Sequence, residues 1–189
     1  VKEIAVAFAV AVACVGAAAQ SAKAAAPPVA GSAAADPLKR LRVTKDEMTG
    51  YTFFMHPTSP EYPKVKGAHL YIGRGPNGEY FPRFVIHYVA SEWLFIEKAW
   101  GKADDEVVSF PVATRWKRDN GGGTIWEWSD EVVTQPKHIA DIKKMANAKK
   151  VVMRLEGDKY YKDITLTRQQ IQALKEVVQA YEGARGRPW

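Results

Sequence analysis

Glu97, in the stretch WLFIEKAW, and Glu127, in TIWEWSDE, are the one pair of carboxylates that the sequence nominates for acid–base work. Glycoside hydrolysis would need them to face each other across about 5 to 10 Å. Side chains alternate along a strand, so Trp126 and Trp128 share one face while Ile125 and Glu127 share the other. The two indoles therefore do not sandwich the carboxylate between them. Both glutamates are expected to point outward between apolar neighbours, and no catalytic residue is assigned.

Other chemistries have less to work with. A nucleophilic Ser, Thr or Cys needs a base beside it, and Ser59, Ser91, Ser109 and Ser129 stand in contexts that suggest no activation, with no G-x-S-x-G in the chain. The four histidines, His56, His69, His87 and His138, include no i, i+4 pair that would align ligands on a helix, and the only cysteine is Cys14. His69 and His87 could converge across strands, but ordinary surface or partly buried histidines are the expectation; no metal and no cofactor is assigned. Gly73-Arg74-Gly75-Pro76-Asn77-Gly78 matches G-x-G-x-x-G after a strand. A dinucleotide site would require a helix to start there, whereas Pro76-Asn77-Gly78 is a β-turn leading into another strand. The chain also lacks the H-R-D and D-F-G of a kinase.

Binding chemistry is better represented. Trp93, Trp100, Trp116, Trp126 and Trp128 fall on neighbouring expected strands. Their rings either supply the burial that a disulfide-free core needs, or offer faces on which sugars and apolar ligands stack, with nearby cations holding an anion. Trp93, Trp126, Trp128, Arg115, Lys117 and Arg118 form the candidate ligand-binding set. The net charge of +6 favours anionic neighbours. No recognisable nucleic-acid module accompanies it, so nucleic acid is not an expected partner.

The chain's organisation bears on where such binding would take place. Val1-Lys2-Glu3 is a short charged head, Ile4 to Gly16 carries no charged side chain, and Ala17-Ala18-Ala19 is a small-residue stretch. That is the layout of a secretory signal peptide, expected over residues 1–19 with cleavage as late as residue 26. It is too short for a membrane span of about 20 apolar residues. Cys14 could carry a lipid anchor, though Ala11 stands where a lipoprotein signal usually has a large aliphatic residue. Removal of the leader would leave a chain without cysteine and so without a disulfide. Residues 20–37 are Ala/Pro-rich with little to bury, the composition of a disordered linker. Residues 38–182 suit a single domain, and residues 183–189 are expected to fray.

Within that domain, Val-, Ile- and aromatic-rich runs predict strands at Tyr51 to Met55, Ala68 to Ile72, Arg83 to Ala90, Trp93 to Trp100, Val107 to Lys117, Thr124 to Thr134, Lys149 to Glu156 and Tyr160 to Thr165. The last two should form a hairpin across Gly157-Asp158, and the runs ending at Ala90 and starting at Trp93 should pair across Ser91-Glu92. Gly121 to Gly123 is read as a loose hairpin connection into the strand TIWEW. Pro136 to Asn147 predicts a helix with proline in its first turn. A second helix follows Thr167, whose pairing with Gln170 makes a capping box, and Ile171, Leu174, Val177, Val178 and Tyr181 form its apolar stripe. The expected fold is α+β, a mainly antiparallel curved sheet of about seven or eight strands packed with a C-terminal helix. A closed β-barrel with helices is the alternative.

The run VVMRLEGDKYYKDITLTRQQIQALKEVVQAY, with Gly157-Asp158, Tyr160-Tyr161, Asp163 and Leu166-Thr167 as its recognisable elements, resembles a pattern found in small uncharacterised exported bacterial proteins, and WLFI at Trp93 to Ile96 is similar to the same group. The resemblance implies bacterial origin and export and brings no catalytic residues. The functional expectation is an exported envelope protein, periplasmic or secreted, or membrane-anchored through Cys14. It would act as a non-enzymatic binding or interaction module for an envelope protein, an anionic lipid head group or a glycan. A cell-envelope or glycan hydrolase using paired carboxylates is the alternative.

Overall fold

A computed structural model describes residues 36–60 and 65–189. The expected leader, Cys14 and the linker through residue 35 lie outside the described residues. Among the described residues the order is β1 (Arg42–Lys45), β2 (Thr52–Met55), β3 (Gly67–Arg74), β4 (Tyr80–Ala90), β5 (Ile96–Ala103), β6 (Glu106–Val108), β7 (Lys117–Gly121), β8 (Thr124–Val132), α1 (Pro136–Asn147), β9 (Val151–Gly157), β10 (Tyr161–Thr165) and α2 (Arg168–Arg185). The strands pair antiparallel in two sheets, a six-stranded one ordered β1-β2-β3-β4-β8-β7 and a four-stranded one ordered β10-β9-β5-β6. The larger sheet curls into a half-barrel with β1 and β7 as its outer strands and does not close. The α+β class is as expected, and the closed-barrel alternative is set aside.

Local chemistry explains the elements that the sequence made legible. Gly122 and Gly123 take φ values of 59° and 78°, the left-handed pair that a two-residue hairpin requires and that a Cβ would oppose. GGGTIWEW is therefore a hairpin tip followed at once by a strand. Gly78 N–H donates to the Gly75 carbonyl at 2.9 Å, closing the β-turn between β3 and β4, and Gly75 N–H donates to the Glu79 carbonyl at 2.9 Å across the base of the loop. In α2, Gln170 N–H donates to Thr167 Oγ1 at 3.1 Å and Thr167 N–H to Gln170 Oε1 at 2.8 Å, a complete capping box.

Two strand expectations are corrected. The segments Arg83 to Ala90 and Trp93 to Trp100 are not hairpin partners: β4 lies between β3 and β8, while β5 lies between β9 and β6 in the other sheet. The chain turns out of the first sheet at Phe95, which takes a φ of 54°. The expected strand from Val107 to Lys117 is broken as well. Pro111 has no N–H to give a ladder, and β6 ends at Val108 before β7 begins at Lys117. The hairpin tip between β9 and β10 falls one residue later than expected, with Gly157 N–H donating to the Tyr160 carbonyl at 2.8 Å.

One buried cluster holds these parts together. It joins Phe54, Leu70, Ile72, Phe84 and Ile86 of the large sheet to Ile96, Met153 and Leu155 of the small one, and to Ile142 and Met145 of α1 and Leu174 and Val177 of α2. Each fully buried side chain of this kind contributes about 1.5–3 kcal/mol. Helix α2 packs on β3 and β4. Beyond Gly183, where fraying is expected, α2 continues to Arg185 and Trp189 sets its ring against Tyr181 at 5.4 Å.

Candidate functional site: the aromatic face of the large sheet

The face of the large sheet turned away from this core is where the sequence is least ordinary. An antiparallel sheet packed on one side alternates apolar residues inward with polar residues outward. Here the positions of that parity in β2, β3, β4 and β8 hold Phe53 and Met55, His69 and Tyr71, Phe81, Arg83, Val85 and His87, and Trp126, Trp128 and Asp130, of which His69, Tyr71, Val85 and His87 are buried. Strand register sets them side by side: Met55 opposite Tyr71, His69 opposite Val85, His87 opposite Trp128 and Val89 opposite Trp126. Ring contacts run across the strands, with Phe53 edge-on to Tyr71 at 5.9 Å, His69 tilted against Tyr71 at 6.3 Å and His69 edge-on to His87 at 5.4 Å. At one end Tyr51 stacks on Phe53 at 6.3 Å and meets Phe81 edge-on at 5.9 Å. These rings, with Tyr71, Arg83 and Val132, line a groove of about 580 Å³.

Polar groups on this face are largely committed to one another. Arg83 donates from Nε to Asp130 Oδ1 at 2.8 Å and from Nη2 to the Asp130 carbonyl at 2.9 Å, while the Tyr71 hydroxyl donates to Asp130 Oδ2 at 3.0 Å. Burial, reinforced by the Asp130 charge, pushes the Tyr71 phenol well above its ordinary range. Burial also pulls the imidazoles down, His69 to about 3 with help from His87 and Arg42, and His87 to about 4 against the opposing pull of Asp130. At neutral pH the two histidines are polar but uncharged. They do converge across strands, yet among the described residues no group of three or more His, Cys, Asp or Glu is placed to hold a metal.

The six residues nominated from sequence separate into different places. Trp126 and Trp128 lie half-buried on the aromatic face, and Lys117, opposite Trp128 in the β7–β8 register, is exposed beside them. Arg118 has the other parity and turns to the core side. Trp93 stands on the approach to β5, stacked on Phe95 at 5.9 Å, and the Arg118 guanidinium covers that Phe95 ring at 5.4 Å. Arg115 is exposed on the connection before β7. Of the remaining strand tryptophans, Trp116 is buried in the core and Trp100 lies on the small sheet, donating to Glu156 Oε1 at 2.8 Å. Tyr51, Phe53, Tyr71, Phe81, Arg83 and Asp130 were not singled out from sequence, because each joins the face only through pairing with distant strands.

Glu127 is the clearest correction. Its side chain is 0% exposed, and its carboxylate accepts Leu94 N–H and Phe95 N–H on Oε1, both at 2.8 Å, and Ile96 N–H and Arg118 Nε on Oε2, both at 2.9 Å. It points into the protein and ties β8 of the large sheet to the start of β5 in the small one. Part of this was readable: Glu127 shares the inward parity of Ile125 and Ser129, and Arg118 stands opposite it in the hairpin register. The donors from residues 94–96 were not. Holding Phe95 in the left-handed region costs about 1–3 kcal/mol, which the surrounding bonds offset. Gly157 completes the arrangement, since a Cβ there would lie 1.8 Å from the Leu94 carbonyl oxygen. Glu97, in contrast, is exposed.

Ser109, Lys137 and Asp141 form a tight cluster in which Ser109 N–H and Oγ both donate to Asp141 Oδ2, at 2.9 and 3.0 Å, and Lys137 pairs with the same oxygen. The serine proton is directed at a carboxylate that an ammonium already neutralises, so the cluster fastens α1 to the end of β6 and does not assemble a nucleophile. Comparison with protein-family models and with curated proteins finds no match to this chain.

Proposed function

We propose that the protein is an exported, non-catalytic envelope module that binds a glycan on the aromatic face of its large sheet. The observation that carries this reading is the replacement of the polar outward residues of β2, β3, β4 and β8 by rings. Sugar rings stack their C–H faces on Trp, Tyr and Phe, and Tyr51, Phe53, Phe81, Trp126 and Trp128 are the rings of this face that are not fully buried. The groove of about 580 Å³ is within the range of small-ligand sites. Arg83, which lines the groove together with Asp46, is neutralised by its pair with Asp130, and the near balance of charge suits a ligand without strong negative charge. Export rests on the leader-like N-terminus, and localisation to the periplasm or outside the cell follows from it.

The competing reading, a glycan hydrolase working through Glu97 and Glu127, has less support. Glu127 would have to give up four donors and reach solvent, while Glu97 is exposed on β5 of the other sheet. Calorimetric titration with soluble fragments of envelope glycans, followed by tryptophan emission, tests the proposal. Trp128→Ala and Phe53→Ala should each weaken binding about tenfold, the worth of one lost ring contact. Absence of binding at millimolar glycan, or affinities indifferent to both changes, would refute it; release of new reducing ends would favour the hydrolase.

A further inference from the structure

A second concentration of rings stands where residues 93–96 meet the tip between β9 and β10. Phe95, Tyr160 and Tyr161 are 53%, 71% and 58% exposed, and Trp93 is stacked on Phe95. Trp93, Tyr160 and Tyr161 line a groove of about 340 Å³ together with Lys159 and Lys162, and Glu92 is the one carboxylate among its described lining residues. Lys66 adjoins Lys162 on the neighbouring surface, where the carboxylates are Glu92 and Asp163, the latter paired with Arg154. Exposed rings gathered at one corner mark an interaction site, and the Arg154 guanidinium lies over the Tyr161 ring at 4.0 Å. Their display is also fixed in place: the Glu127 carboxylate pins the three consecutive N–H groups of residues 94–96, Phe95 is held at a φ of 54°, and Gly157 admits the Leu94 carbonyl at a distance no side chain would allow.

We propose that this corner is a membrane-contact surface that seats on anionic lipid. Trp and Tyr favour the bilayer interface because each joins an apolar ring to a polar edge. Lysine lays its hydrocarbon stem among such rings while its ammonium reaches the lipid phosphates. The centre of a protein–protein interface is depleted in lysine, and here two lysines stand among the rings, so a lipid surface fits the composition better than a protein partner. Contact here leaves the aromatic face of the large sheet on separate residues, and the two proposals stand or fall independently.

Co-sedimentation of the full chain with phosphatidylcholine vesicles, with and without phosphatidylglycerol, tests this. The N-terminal segment is common to every variant, so the readout is the difference between variants. Paired Lys159→Gln and Lys162→Gln should weaken binding to the anionic vesicles about 25-fold at low salt and change little at high salt. Paired Phe95→Ser and Tyr160→Ser should weaken it about tenfold at either salt. Equal binding by all variants, or no binding by the parent chain, would overturn the proposal. So would self-association in solution that the same substitutions abolish, which would make a second copy the occupant.

Discussion

Acid should weaken this fold well before its carboxylates titrate, because His69 and His87 are buried in uncharged form. Their imidazoles fall to about 3 and about 4 in the folded chain, against about 6.5 when unfolded. Between those values the unfolded chain binds protons that the folded chain refuses, so stability rises with pH across this window and is lost as pH falls from about 6.5 towards 4. At pH 5 each histidine lies about 1.5 pH units below its unfolded pKa and costs about 2 kcal/mol, or about 4 kcal/mol for the pair. That is a large part of a usual stability of about 5–15 kcal/mol. Urea unfolding at pH 7.5 and pH 5 would measure it in the parent chain and in the paired variant His69→Gln, His87→Gln. The quantity to compare is the loss between the two pH values, since the variant will also have its own baseline. His138, whose imidazole is lowered by burial and Lys137, adds a loss of the same sign to both chains and cancels. Asp141, Asp163, Glu176 and Glu182 are all held below their ordinary values; their contribution is lost only as pH falls below the usual carboxylate range of about 4. A parent chain equally stable at the two pH values, or a variant that loses as much as the parent, would refute the reasoning.

Glu127→Gln replaces an acceptor at Oε2 with a donor that faces Ile96 N–H and Arg118; a loss of about 3–5 kcal/mol is expected by denaturant titration. Gly157→Ala should push the Leu94 carbonyl aside, lowering the melting temperature and shifting the emission of Trp93, whereas Gly157→Ala at parental stability would mean the close approach relaxes freely. Thr167→Ala removes one half of the α2 capping box and should cost about 1 kcal/mol, seen as a melting temperature about 2–4 °C lower.

Helices and hairpin tips were legible in the sequence because their signals are local. Pro136 and the Thr167/Gln170 box act within a single turn of chain, and Gly122-Gly123 or Pro76-Asn77-Gly78 set a turn with no help from elsewhere. The parity of TIWEW was legible for the same reason, and it correctly separated the indoles from Glu127. What could not be read was which strand lies beside which. Trp93 to Ile96 has the composition of a strand, and only the buried carboxylate of Glu127, more than thirty residues away, pulls its N–H groups out of the ladder. The aromatic face was hidden in the same way: Phe53, Tyr71, Phe81 and Trp128 look like four separate core residues until the order β2-β3-β4-β8 sets them on one surface. Arg42–Lys45, short and polar, carries no strand signal of its own and extends only because β2 offers it a partner.

A half-barrel that stops short of closure leaves two ragged margins, each able to recruit another molecule by strand addition. The chain guards both with charge. Lys117, Arg118 and Asp119 occupy one margin and Arg42 and Lys45 the other, and the two strands are only five and four residues long. Neutralising Arg42, Lys45, Lys117 and Asp119 would invite end-to-end stacking of the sheet into fibrils, whereas Arg118 also pairs with the buried Glu127 and its loss would reach the interior. The rims of the sheet thus bear on self-association separately from whatever decides stability.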